Sequence, residues 1–188
     1  MEDIMRAGYD RLRDYLFDMI LEEQLKLGYE REMIRFYSPA ASVSNILACG
    51  HRSGEEIAER LSAFGDYVEC TLGAVDISLC SGDRICFLIP ADGARYVHEH
   101  CEAHPFLVDL IQCFAGCGVT RQKVLGVFGK WSENVRCIHI GSDEFDDVLY
   151  FEDGRPDAYR YCVKFDDGHA FYHRFLKEDF EEFLGEEK

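Results

Sequence analysis

The first stretch of the chain carries apolar residues at steps of three and four, the spacing of one helix face. This spacing predicts a long amphipathic helix from Asp3 to Leu27, which Gly28 ends. Its apolar stripe consists of Met5, Tyr9, Leu12, Leu16, Met19 and Ile20, and the acids Asp10, Asp14, Asp18 and Glu22 follow another side. Because acids at four-residue steps repel each other, an isolated helix of this kind is marginal. We therefore expect the stripe to pack against the rest of the fold or against a second copy in a dimer.

Residues 1–66 as a whole are predicted to be mainly helical. Pro39 suits the first position of a second helix. Ser53 and Glu56 are spaced as a capping box, in which each side chain accepts a bond from the backbone N–H of the other residue. The helix that this box opens is expected to end near Gly65.

A period of two predicts strands over residues 67–89, and Tyr67–Leu72 is the first of them. A tight turn after Ser81 joins the next two strands. A two-residue loop there pairs Leu79 with Cys86 and keeps one face of the hairpin apolar, so we favour this register.

The second half repeats the order of helices followed by strands. Residues 91–130 are predicted to be helical, residues 135–175 to form antiparallel strands, and residues 177–184 to form a short closing helix. The acidic link Gly141–Asp147 is expected to be an exposed loop. The consecutive hairpin strands are Val148–Glu152, Tyr159–Phe165 and His169–Phe175.

The last hairpin allows two registers, which differ in chemistry. A three-residue loop with a left-handed Gly168 pairs Phe165 with His169 and gives every residue on that face an apolar or aromatic partner. A two-residue loop instead places Cys162 opposite His173, the arrangement of a thiolate–imidazole nucleophile. We favour the first register because its hydrophobic pattern is cleaner.

These elements predict an α+β fold. Its antiparallel sheet is built from hairpins, and the N-terminal helices and a mid-chain helical insertion pack on it. No linker or repeat interrupts residues 1–188, so one domain is expected.

Charge narrows the classes of partner. The chain has 36 acidic and 20 basic side chains, a formal net charge of −16, and such a surface repels nucleic-acid phosphates and anionic membranes. No apolar run approaches the length of about 18 residues that a membrane helix needs, and the N-terminus lacks the pattern of a signal peptide. We predict a cytoplasmic protein that binds neither nucleic acid nor membrane.

The cysteines support the same compartment. There are nine, most lie in apolar company, and no Cys-x-x-Cys pair occurs. We expect them to be reduced and mostly buried, because a free cysteine behaves as a small hydrophobic residue.

One group of residues suggests a metal site. His100 and His104 are one turn apart if a single helix spans both, and Cys101 is a third possible ligand. We favour packed or surface side chains over a metal site, because Pro105 disfavours helical geometry at His104. No cofactor is therefore predicted, and zinc at these residues is the alternative.

One group of basic residues interrupts the acidic chain. It consists of Arg121, Lys123, Lys130 and Arg136, with Trp131 among them. The group is a candidate site for an anion or for acidic groups of a partner, and the alternative is a solvated helix face.

Signatures of known enzymes are missing from the sequence. No P-loop, dinucleotide-binding fingerprint, nucleophile elbow, zincin motif or EF-hand loop occurs. We therefore expect a nonenzymatic intracellular binding or protein-interaction domain, with the first helix or the C-terminal aromatic strands as its interface. Two alternatives stay open, namely a metal-assisted enzyme that uses His100 and His104, and an acidic partner of a basic or nucleic-acid-binding protein.

Three segments, Glu22–Tyr29, Tyr161–Phe165 and His173–Phe175, resemble an uncharacterised bacterial family of unknown function. The resemblance spans most of the chain. It implies small, soluble, bacterial relatives and carries no activity and no site residues with it.

Overall fold

The computed structural model describes residues 2–28, 32–50 and 52–186, with side chains described for residues 5–181 of these ranges. The chain forms two compact units, Met1–Ala103 and His104–Lys188. Each unit combines helices with its own antiparallel sheet, so the predicted α+β class and the antiparallel pairing are confirmed. A single domain over residues 1–188 stays a prediction.

The first unit contains five α-helices and three strands among the described residues. In chain order they are α1 (Glu2–Leu27), β1 (Ile34–Pro39), α2 (Ala40–Leu47), α3 (Gly54–Arg60), α4 (Phe64–Leu72), β2 (Asp76–Cys80), β3 (Arg84–Ile89) and α5 (Ala91–His100), and a 3-10 turn, Leu61–Ala63, joins α3 to α4. The first sheet has the strand order β1-β3-β2. The capping box of α3 is formed as predicted by Ser53 and Glu56.

Helix α1 is docked within the first unit, as its stripe predicted. Tyr9, Leu12, Leu16 and Ile20 are buried, while Met5 at the start of the stripe is 46% exposed. The expected repulsion between acids is relieved by nearby cations. Arg13 pairs with Asp10 and Asp14, and Lys26 pairs with Glu22.

The predicted strand Tyr67–Leu72 is wrong, because this segment belongs to α4. Phe64, Val68 and Leu72 are spaced by four and all buried, so a helical face was present beneath the apparent alternation. The helix ends at Gly73, whose φ of +70° is unfavourable for residues with a side chain.

The predicted register of the first hairpin is also wrong by one residue. Leu79 pairs with Ile85 and Cys80 with Arg84, which leaves a three-residue loop. Contacts distant in sequence fix this loop, since the Asp83 carboxylate accepts a bond from the Gly54 N–H at 2.9 Å and the Asp83 carbonyl accepts one from Ala40 at 2.9 Å.

The second unit contains α6 (Pro105–Ala115), α7 (Arg121–Trp131), β4 (Val135–His139), β5 (Asp147–Phe151), β6 (Arg160–Asp166), β7 (His169–Phe175) and α8 (Lys177–Glu186). The second sheet has the order β4-β5-β6-β7, so the three predicted C-terminal hairpin strands are confirmed as antiparallel neighbours. Its core is aromatic. The Phe106 ring meets Phe128, Phe151 and Tyr161 at centroid distances of 5.0, 5.0 and 5.7 Å, all edge to face.

The last hairpin adopts the register that we did not favour. Cys162 pairs with His173, and a two-residue turn has positive φ at both Asp167 and Gly168. This register places Arg160 and Lys164 beside aromatic residues of β7. Both cations are stabilised by other partners, since Arg160 lies over the Tyr150 ring at 3.9 Å and Lys164 forms an ion pair with Asp146.

The expectation that the cysteines are mostly buried is wrong. Only Cys86 and Cys162 are buried, four are partly buried (Cys49, Cys80, Cys101 and Cys113), and three are exposed (Cys70, Cys117 and Cys137). All nine are free thiols in the structure. The apolar neighbours in sequence misled the prediction, because alternate residues of a strand face opposite sides.

Among the described residues, none of the helices has the length and apolar character needed to cross a membrane.

Candidate anion-binding site

The second sheet holds a buried carboxylate at the point where the hairpin of β4 and β5 closes. Asp147 is the first residue of β5 and pairs across the strands with His139, the last residue of β4. Its side chain is only 1% exposed. The sequence had placed Asp147 in an exposed acidic loop, and this placement is wrong. A buried carboxylate needs hydrogen-bonding and charged partners.

Helix α7 supplies the first partner. Thr120 caps this helix by accepting a bond from the Lys123 N–H, which fixes Arg121 at the first helical position. The Arg121 guanidinium donates two hydrogen bonds to the Asp147 carboxylate. Nε donates to Oδ2, and Nη2 donates to Oδ1 at 2.9 Å. The pair raises the pKa of Arg121, chiefly through the hydrogen bond to Asp147. The Arg121 side chain is nevertheless 50% exposed, so one edge of the guanidinium is accessible to a ligand.

His139 supplies the second partner. Its Nδ1 lies 3.0 Å from Asp147 Oδ1, and the side chain is 68% exposed. With Nδ1 held by the carboxylate, Nε2 is the nitrogen left to meet a ligand. Gly141 lies beside this nitrogen, since a Cβ added there would be 3.2 Å from Nε2. The φ of +64° at Gly141 gives a second reason for glycine at this position.

A second ion pair borders the cluster. Lys164 Nζ lies 3.2 Å from the Asp146 carboxylate, and the Phe165 N–H donates to the same carboxylate at 2.8 Å. The Phe165 bond is the main cause that lowers the pKa of Asp146, and the positive Lys164 adds to it. Asp146 therefore stays charged and is neutralised by Lys164.

Cys137 lies on the same strand face as His139, two residues earlier. Although Cys137 is exposed as a residue, neighbouring atoms desolvate its sulfur, and this desolvation is the main cause that raises the pKa of the thiol. The nearby Asp147 carboxylate raises the pKa further, and Arg121 opposes the rise. The thiol is consequently protonated near neutral pH and is a poor nucleophile.

The accessibility and pKa of the thiols predict an order of alkylation by iodoacetamide at pH 8. Cys70 and Cys117 should react first, exposed Cys137 more slowly, and Cys162 only after unfolding, since burial raises the pKa of Cys162 to about 12. Peptide mass spectrometry of timed samples measures the order, and protein unfolded in urea, in which the rates should converge, is the control. Native modification of Cys162 as fast as that of Cys70 would contradict the described packing of β6.

Only one of the four predicted basic residues belongs to this cluster. Lys123 donates to the Gly118 and Cys117 carbonyls, Lys130 pairs with Asp109 at 2.6 Å, and Arg136 pairs with Glu152 at 2.8 Å. The four side chains thus have separate partners, and Arg121 is the one that shares its partner, Asp147, with His139.

The three predicted metal ligands lie at the ends of two helices. His100 is the last residue of α5 and stacks on Tyr96, and Cys101 follows it in the first unit. His104 caps α6 in the second unit, where its Nδ1 accepts a bond from the Phe106 N–H. The shared helix that the metal hypothesis required is therefore not formed.

Among the described residues, no group of three or more His, Cys, Asp and Glu side chains is placed to hold a metal ion. Zinc at His100, Cys101 and His104 stays an alternative that no described cluster supports.

No local pattern in the sequence indicated His139 and Asp147 as site residues. This pair is hard to recognise from the sequence, because the residues that face each other across a hairpin can be identified only when both ends of the loop are known. The seven-residue loop 140–146 does not define these bounds by a turn motif.

Comparison with protein families finds a model described as a domain of unknown function from E. rectale, DUF3877, which matches residues 9–184. The chain belongs to the DUF3877 family. The resemblance to a bacterial family of unknown function is thereby confirmed, and the match spans both units of this DUF3877 chain. Neither curated proteins nor solved structures give a match.

Proposed function

We propose that the protein is a nonenzymatic binding domain whose ligand is a small oxyanion, a carboxylate or a phosphate, held by Arg121 and His139. The observation that carries the proposal is that both side chains form hydrogen bonds to the same buried carboxylate, that of Asp147. Asp147 orients an exposed guanidinium and an exposed imidazole from a site that solvent does not reach. Donors fixed in this way lose little freedom when a ligand binds, which favours affinity.

The charges around the site make binding depend on His139. Arg121 and Asp147 cancel, as do Lys164 and Asp146, and the Cys137 thiol is neutral. These pairs leave His139 and the outer edge of Arg121 as the donors that face a ligand. An imidazolium at His139 can donate from Nε2 to an oxyanion, and such a charge-assisted hydrogen bond is stronger than a neutral one.

Binding is favoured over catalysis because the nearest nucleophile is inactive. Cys137, His139 and Asp147 have the residue types of a catalytic triad, but a triad thiol needs a lowered pKa, whereas that of Cys137 is raised.

Titration with sodium sulfate at pH 6 tests the proposal, since sulfate is a small oxyanion of fixed charge. We expect sulfate to bind to the unaltered protein. His139→Gln should weaken this binding about tenfold, the usual effect of losing one charge-assisted bond. Isothermal titration calorimetry provides the affinities, and acetate replaces sulfate in a second series.

Two further variants define the outcome. Arg121→Lys keeps the charge but loses the two-bond grip on Asp147, so it should also weaken binding. Lys130→Gln removes a cation from the same helix outside the cluster and should leave binding unchanged. The proposal is wrong if neither anion binds at 10 mM, or if His139→Gln and Lys130→Gln bind equally well.

A further inference from the structure

The first sheet has one buried face and one exposed face. Phe36, Ile85, Phe87 and Ile89 on one side are fully or almost fully buried. Register places Arg35, Tyr37, Asp76, Ser78 and Arg84 together on the other side, which we call the open face, and all five are exposed. In the centre of this face lies the small, buried Cys86.

The open face concentrates positive charge in an acidic chain. Among the described residues, no carboxylate lies within ion-pair distance of Arg35 or Arg84, although the exposed Arg52 and Arg95 of the same unit each have one. Asp76 is the one acidic residue on the face. The face itself carries two guanidiniums against one carboxylate, while Glu23 and Glu32 line the pocket that Arg35 borders. The exposed guanidiniums on the face are complementary to an anionic ligand.

An aromatic side chain lies between the two arginines. Tyr37 is 45% exposed, and the Arg84 guanidinium lies over its ring at 5.8 Å while donating to the Tyr37 carbonyl at 3.3 Å. Arg35 is two residues away on the same strand and face, a separation of roughly 7 Å. An aromatic ring next to cations suits a flat ligand that stacks on it and an anionic group that the guanidiniums bind.

The size of the face limits its occupant. Three strands of this length cover roughly 300 Å², whereas a stable protein interface needs about 800 Å² on each partner. Long polyanions are opposed by the net charge of −16, and a small ligand encounters this repulsion with few charges.

We propose that the open face binds a small ligand that combines a flat aromatic ring with an anionic group, as a mononucleotide does. The site is separate from the oxyanion site of the second unit and does not depend on it. Tyr37 supplies the stacking surface, and Arg35 and Arg84 supply the charge.

Calorimetric titration of the full chain with AMP, adenosine and inorganic phosphate tests this site. AMP should bind with a dissociation constant below about 1 mM, a modest affinity for a ligand held by one ring and one anion. Adenosine and phosphate should each bind at least tenfold more weakly at this site. Tyr37→Ala and Arg84→Gln should each weaken AMP binding at least fivefold, whereas Tyr37→Phe keeps the ring and should retain it.

Matched controls separate this site from general charge effects and from the oxyanion site. Arg95→Gln removes a charge of the same sign from the same unit and should leave AMP binding unchanged. The titrations are repeated in the His139→Gln protein, in which the oxyanion site contributes little to AMP binding. The proposal is overturned if AMP does not bind at 1 mM, if phosphate alone binds as tightly as AMP in the His139→Gln protein, or if Tyr37→Ala binds AMP normally.

Discussion

Leu16→Asp is expected to unfold the first unit. Leu16 is fully buried in the stripe of α1, so the substitution removes its apolar contacts and leaves a carboxylate in their place. The combined loss is at least about 4 kcal/mol, a large part of the stability of a domain of this size. Circular dichroism during heating should show a melting transition lowered by more than about 15 °C, or no folded baseline for this unit.

Met5→Asp is the matched control for this prediction. Met5 belongs to the same predicted stripe but is 46% exposed, so a carboxylate there stays in water. Its effect on unfolding free energy should be within about 0.5 kcal/mol. Equal melting temperatures of Leu16→Asp and the unaltered protein would show that α1 is not docked.

Phe106→Ala is expected to destabilise the second unit by about 3–5 kcal/mol, the usual cost of removing a buried aromatic ring. Phe106 is fully buried and meets three other rings edge to face. The cavity therefore lies where helix α6 packs on β5 and β6, and the aromatic neighbours lose favourable contacts on one side. Urea unfolding followed by Trp131 fluorescence reports on this unit, because Trp131 packs against the same cluster.

Phe171→Ala removes the same side chain from β7, where Phe171 is 56% exposed. We expect a loss of less than about 1 kcal/mol, because little apolar area leaves the interior. A loss as large as that of Phe106→Ala would mean that the outer face of β7 is buried by another surface.

Local sequence signals predicted the elements whose hydrogen bonds and apolar faces depend on residues close in sequence. The stripe of α1 and the capping box at Ser53 and Glu56 are both found in the structure. The C-terminal strands were recognisable because Gly-containing turns separate segments of β-branched and aromatic residues. A helix stripe, a cap and a short turn each depend on residues that are at most about four positions apart, so each can be recognised from the local sequence.

Tertiary contacts decided the features that the sequence left ambiguous or indicated wrongly. Tyr67–Leu72 has spacings that suit both a strand and a helix, and burial of Phe64, Val68 and Leu72 selects the helix. The Asp83 turn gains its extra loop residue through bonds to Gly54 and Ala40, which are distant in sequence. A shift of one residue reverses the face of every side chain in a strand, so such bonds determine which residues are exposed.

Both candidate binding sites are formed by residues that strand pairing brings together from separate parts of the sequence. Arg121, His139 and Asp147 come from a helix and two strands, and the pairing of β4 with β5 brings them together. Composition and local periodicity determined the α+β class, the acidic surface and the docked first helix, because each of these follows from residues near one another in sequence. Strand register and long-range packing alone decided which charged and aromatic side chains share a surface, since those contacts join segments that no local pattern connects.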